Sequence, residues 1–236
     1  DQVNVAGTVT AAARGAGVVS ALAHIHEHIG GAVGAVNVLG ATISATAADF
    51  GTPGPGSRSA TLEIISEQGG VVVNGATTLA TSAITTTGSA FATGTVRGTG
   101  GVVNFATDLT VLASAGSFAS ALVDMDAGTG IVGSANLRAD AVETGAGSAL
   151  ARVHVDTAAG NATLGSLAVN ASGSEATGSI DVGQHVVPIP GVLTVGNITG
   201  NVTGNSSDGH LNIDLDANNG INVNGAINAV ANAGSN

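Results

Sequence analysis

The feature that most constrains this chain is an alternation of apolar and polar residues that returns about every 31 residues. In the C-terminal stretch GHLNIDLDANNGINVNGAINAVANAGSN, Leu211, Ile213, Leu215 and Ala217 alternate with His210, Asn212, Asp214 and Asp216. Asn218-Asn219-Gly220 then supplies a turn. Alternation resumes with Ile221, Val223, Gly225, Ile227, Ala229, Ala231 and Ala233 on one side and Asn222, Asn224, Asn228 and Asn232 on the other. A period of two is the signature of a strand, whereas a helix needs apolar residues three and four apart. Gly225, inside the run, marks a bend after which the strand continues.

The N-terminus repeats this pattern. Val3, Val5, Gly7, Val9, Ala11 and Ala13 match the apolar face of Ile221 through Ala231, with Asn4 in the place of Asn222. Taking the mid-strand glycine as a marker gives Gly7, Gly40, Gly75, Gly133, Gly165, Gly196 and Gly225, spaced 33, 35, 58, 32, 31 and 29 residues apart. The long interval is two steps, with Ala106 in place of the missing glycine. A fixed period of this length is the mark of a repeat architecture.

Each unit reads as strand, Gly/Asn turn, strand, glycine bend, strand, Gly/Ser turn. SATLEIISE leads into VVVNGATTLATSA, SAFATGTVR into VVNFATDLTVLASA, and ALARVHVD into TLGSLAVNA. Near Thr42 one extra residue restores the alternation as Ile43, Ala45 and Ala47, which reads as a bulge. The interior must be narrow, because the apolar content of 44% comes from small and branched side chains, with aromatics at only 2% and no Trp, Tyr or Cys. The reading is therefore an all-β chain forming one domain over residues 1–236, a parallel β-solenoid of seven to eight coils. Every coil pairs its backbone with the coils above and below. At roughly 4.8 Å per coil, the rod is about 35 Å long. The alternative is an antiparallel β-sandwich of the pilin-subunit type, each pair of arms forming a hairpin. Two irregular segments, 51–57 (GTPGPGS) and 183–191 with Pro188 and Pro190, read as loop excursions, since proline cannot serve a central ladder.

Runs such as GINVNGAINA, GGVVVNGATTL and GNITGNVTGN resemble the β-strand repeats of large bacterial surface exoproteins, filamentous-haemagglutinin-type adhesins among them. The likeness covers nearly the whole chain and is one of short Gly/Asn/Val-rich repeats. The period is long for that family, and no secretion-directing N-terminal module is recognisable. The resemblance implies a secreted, fibre-forming role at the cell surface and identifies no site.

Candidate chemistry is sparse. His24, His26 and His28, in HIHEH, project from one face of a strand about 7 Å apart. Alternate neighbours suit a transition ion such as Zn²⁺, Ni²⁺ or Cu²⁺, although three on a straight strand do not converge comfortably. The alternative is a solvated outer face. Glu63, Glu67, Asp124, Asp126, Asp156, Asp181, Asp214 and Asp216 lie near the ends of the first arms. In-register stacking brings several together, where Ca²⁺ relieves the repulsion or they serve only solubility. Sequons at Asn161, Asn170, Asn197, Asn201 and Asn205 are glycan acceptors in some lineages and compositional in others.

Among functions, the net charge of −11 with five basic residues, all Arg, disfavours nucleic acid. No apolar run is long enough for a membrane-spanning helix. DQVNVAG is no signal peptide, so any such segment lies outside this sequence. Enzymatic readings lack support: no aromatic platform, no GxSxG and no phosphate loop is present. The expectation is thus not an enzyme, with no cofactor required. It is a structural subunit or segment of an extracellular filament, adhesin stalk or surface coat that stacks head to tail with copies of itself. The runner-up is an adhesin module whose loops recognise a glycan or host surface.

Overall fold

The computed structural model describes residues 2–28, 34–50, 52, 54–75, 78–183, 188–206 and 208–234. Three parallel sheets enclose one apolar core. The first sheet stacks Gln2–Val5, Ala35–Leu39, Val71–Asn74, Val102–Phe105, Gly130–Gly133, Ala162–Thr163, Leu193–Val195 and Ile221–Val223. The second stacks Thr8–Gly15, Thr42–Asp49, Thr78–Ile84, Leu109–Ala115, Leu137–Glu143, Leu167–Gly173, Ile198–Gly204 and Ile227–Ala233. The third stacks Val19–Glu27, Arg58–Ser66, Ser89–Gly98, Phe118–Ala127, Ser148–Thr157, Glu175–Val182 and Gly209–Leu215. One strand from each sheet makes a coil, so there are seven complete coils and two strands of an eighth. This is the parallel β-solenoid with a period near 31 residues. Every ladder between these strands is parallel, which excludes the hairpin sandwich.

The alternation maps directly onto inside and outside. Along Val19–Glu27 the inward residues Ala21, Ala23 and Ile25 are buried and the intervening ones face solvent. Equivalent residues stack in columns. In the second sheet one column runs Val9, Ile43, Leu79, Leu109, Leu137, Leu167, Ile198 and Ile227. Another, in the third sheet, begins Ala21, Ala60, Ala92, Ala121 and Ala151, then passes to Gly178 and Leu211. Small columns set the sheets close together, and glycine gives way where a large side chain enters. A Cβ on Gly200 would lie 2.6 Å from the Leu211 methyls, and one on Gly178 2.6 Å from Val202.

The marker glycines sit in the corner between the first and second sheets, with one exception. Gly133 ends a first-sheet strand directly opposite Phe105, and Ala135 lies in the corner instead. A Cβ at Gly133 would lie 1.9 Å from the Phe105 carbonyl oxygen, so the glycine answers a close backbone approach rather than a bend. The extra residue near Thr42 likewise lies in the corner and not within a strand. Gly40 takes φ +64°, Ala41 is buried, and Thr42 opens a regular strand.

Parts of the two irregular segments follow the stack. Ser57 accepts a backbone hydrogen bond from Val19 at 2.9 Å, and Gly54 accepts one from the Thr87 hydroxyl. Ile189 is fully buried and bridges to Ala217. Residues 51, 53 and 184–187 lie outside the described residues. Among the described residues no helix is long and apolar enough to cross a membrane.

Candidate functional site

The polar face with chemistry on it is the outer side of the third sheet. Because the inward positions Val19, Ala21, Ala23 and Ile25 are apolar, His24, His26 and the following His28 are turned outward. Their rings lean together more closely than an ideal strand places them: 5.1 Å between His24 and His26, stacked, and 5.5 Å between His26 and His28, edge-on.

The register with the next coil decides what the histidines meet. His24 is paired with Glu63, and His24 Nδ1 lies 3.5 Å from its Oε2. Glu27 pairs with Ser66, which brings His28 alongside Glu67. Glu67 then divides its carboxylate: Oε1 lies 3.0 Å from His26 Nε2 and Oε2 lies 3.1 Å from His28 Nδ1. The three histidines therefore do not share one centre. His26 and His28 converge on Glu67, while His24 belongs to Glu63. Burial raises the Glu67 carboxyl, but His28 and then His26 outweigh it and hold it below its ordinary value.

The corner carrying Glu67 is fixed from inside. Glu27 is turned inward and buried, and its Oε2 accepts the Ser66 hydroxyl at 2.9 Å. The Ser66 oxygen in turn accepts the Gly69 N–H at 3.1 Å, and Thr99 donates to the Glu67 carbonyl. A buried polar network with several satisfied members holds its backbone in one place.

Further along the rod the acidic residues do stack. One outward row reads His24, Glu63, Thr95, Asp124, His154, Asp181 and Asp214, and its neighbour contains Arg97, Asp126 and Asp156. Their repulsion is answered by basic groups. Arg97 lies 2.8 Å from Asp126 and 3.4 Å from Asp124, and Arg152 lies 3.0 Å from Asp181. Burial, followed by the Asp126 charge, raises the Asp124 carboxyl against the opposing pull of His154, Arg97 and Arg152. Asp124, Asp126 and His154 offer donor atoms within 4.8 Å of one another, and His154 Nδ1 is buried without a hydrogen-bond partner. They line a shallow groove of about 480 Å³ with Arg97, Thr99 and Asp156. Its nitrogen donor and resident guanidinium differ from the all-oxygen cage that Ca²⁺ prefers.

No family model, curated protein or solved structure matches this chain.

Two parts of this face escaped the sequence reading. Glu67 was one acid among eight until the register set it between two imidazoles. His154 stood outward in RVHVD, but its placement beside Asp124 depends on a 30-residue coil that only the ladder fixes. Of the sequons, Asn161, Asn197, Asn201 and Asn205 are exposed and Asn170 is half-buried. Asn161 and Asn197 use their side-chain oxygens to accept the N–H of Val192 (2.8 Å) and Ala226 (3.0 Å) in the next coil.

Proposed function

We propose that this chain is a structural rod: a subunit or segment of an extracellular filament, adhesin stalk or surface coat that extends by stacking one copy head to tail on the next. The observation supporting this best is the match between the two end coils. Ile221 and Val223 occupy the first-sheet columns that Val3 and Val5 occupy at the other end. Ile227, Ala229 and Ala231 continue the columns of Val9, Ala11 and Ala13. Ile227 is 56% exposed whereas Ile198, one coil inward, is 0% exposed, so its apolar surface is open to a further coil.

Outside, Asn37 already donates to Asn4 at 3.0 Å, and Asn222 stands in the same row, ready to extend such a pair. Unpaired strand edges are templates for another strand. A contact between unlike ends closes no ring and so propagates. The first two sheets have eight strands and the third seven, which routes the contact through the first two. A longer polypeptide would fill the same place with its own next coil, and the interface chemistry is the same. The resemblance to surface exoproteins supports an extracellular setting.

Sedimentation velocity and electron microscopy at rising protein concentration test this. Rods in multiples of about 35 Å are expected. Ile227→Asp, exposed in a single molecule, should leave the circular dichroism unchanged and prevent elongation, because a carboxylate buried in the contact costs several kcal/mol. A protein that stays monomeric at high concentration overturns the reading. A second reading, a module recognising a glycan, draws on the polar groove at Arg97, Asp124, Asp126 and His154, whose charged groups suit hydroxyl ligands.

A further inference from the structure

We propose that His26, His28 and Glu67 form a binding site for a divalent first-row transition ion, Zn²⁺ in the first instance, joining the first coil to the second. This inference stands independently of the filament reading.

Two imidazole nitrogens and one carboxylate converge from adjacent strands. Their donor atoms all lie within 4.8 Å of one another, with contacts of 3.0 and 3.1 Å from the nitrogens to the two carboxylate oxygens. A tetrahedral zinc with bonds near 2.0–2.1 Å needs donor separations of about 3.3 Å, so donors that already lie within 4.8 Å close by no more than about 1.5 Å. Two histidines and a glutamate with a fourth position left to water is an established zinc donor set. His28, with its side chain 77% exposed, leaves that position open to solvent. Imidazole donors also select zinc, copper and nickel over magnesium and calcium.

The arrangement without metal is demanding in its protons. For both rings to donate to Glu67, neutral His26 must carry its proton on Nε2 and neutral His28 on Nδ1. An ion accepts both lone pairs and removes that demand. The supports are in place: Glu67 rides on the corner pinned by Glu27, Ser66 and Gly69, and His24 is held apart by Glu63. The competing cluster of Asp124, Asp126 and His154 is less apt, since Arg97 already lies against both of its carboxylates.

Isothermal titration of the full chain with ZnCl₂ tests the site. One ion per chain should bind, and Zn²⁺ should raise the melting temperature by linking residues of two coils. His26→Ala with His28→Ala should weaken uptake by well over about 10-fold and abolish the thermal shift, while circular dichroism stays unchanged. Glu67→Gln should weaken uptake by about 10-fold or more. His24→Ala and the pair Asp124→Asn, Asp126→Asn should bind as the parent does. Absence of uptake by the wild type, uptake retained by the double histidine variant, or equal loss in His24→Ala overturns the proposal. Loss confined to the aspartate variant also overturns it, and transfers the site to the groove at His154.

Discussion

Three charged side chains, Glu27, Arg58 and Glu143, point inward at corners of the coil and are almost entirely buried. Each is answered in part by local partners, with Glu27 Oε1 and Arg58 Nε left buried without a hydrogen-bond partner. Arg58 donates to the carbonyls of Gly15 and Gly17 and pairs with Asp49. Glu143 accepts the N–H groups of Gly145 and Ser174. Removing one partner of a buried pair strands the other, so Arg58→Ala should destabilise by about 3 kcal/mol or more, read in denaturant unfolding. Burial raises the Asp49 carboxyl, but the Thr86 N–H, the Thr85 hydroxyl and Arg58 outweigh it and hold it below 3.8. Its contribution is therefore complete above the unfolded value and lost as pH falls through the lowered folded one. Asp124 has the opposite sign. Its folded value is raised, so its charge costs stability at neutral pH and that cost is relieved as pH falls through the raised value. Asp124→Asn should melt at or above the wild-type temperature at pH 7, with the difference shrinking in acid. A lower melting temperature at pH 7 would show that the contact with Arg97 dominates.

At the scale of strands and corners, packing depends on where small residues stand. Gly133 and Gly7 both fell on the same sequence marker, yet their surroundings differ. A Cβ at Gly133 meets the Phe105 carbonyl, while one at Gly7 has nothing within 4 Å. Gly133→Ala should thus cost about 1–3 kcal/mol as an overpacking change. Gly7→Ala should be neutral or slightly stabilising, because it only restricts the unfolded chain. Equal effects at the two sites, measured by thermal melts, would contradict this account of the first-sheet corner. The alternation in the sequence identified both glycines but could not separate them, because a two-residue period reports which face a residue takes and not what approaches it.

For the whole molecule, a stack in which each coil touches only its neighbours behaves nearly as a one-dimensional array. End coils lack a neighbour: Val3, Val5 and Val9 are half-buried and Ile227 is exposed, whereas Leu109, Val111 and Leu137 are fully buried. Hydrogen exchange should therefore be fastest in 2–15 and 221–233 and slowest in the central strands Leu109–Ala115 and Leu137–Glu143. Uniform protection along the rod would instead indicate a single cooperative unit. The sequence by itself determined the all-β class, the period and which residues of a strand share an apolar face, because a period of two leaves few alternatives; it favoured the solenoid, and the parallel ladders then excluded the antiparallel sandwich. Which side chains meet across coils was decided only in three dimensions. Glu67 reaches His26 and His28, and His154 reaches Asp124, through registers set by corner lengths that vary from coil to coil. A corner one residue longer changes which residue numbers pair across coils, and a period of two records the face a residue takes without recording the partner it meets.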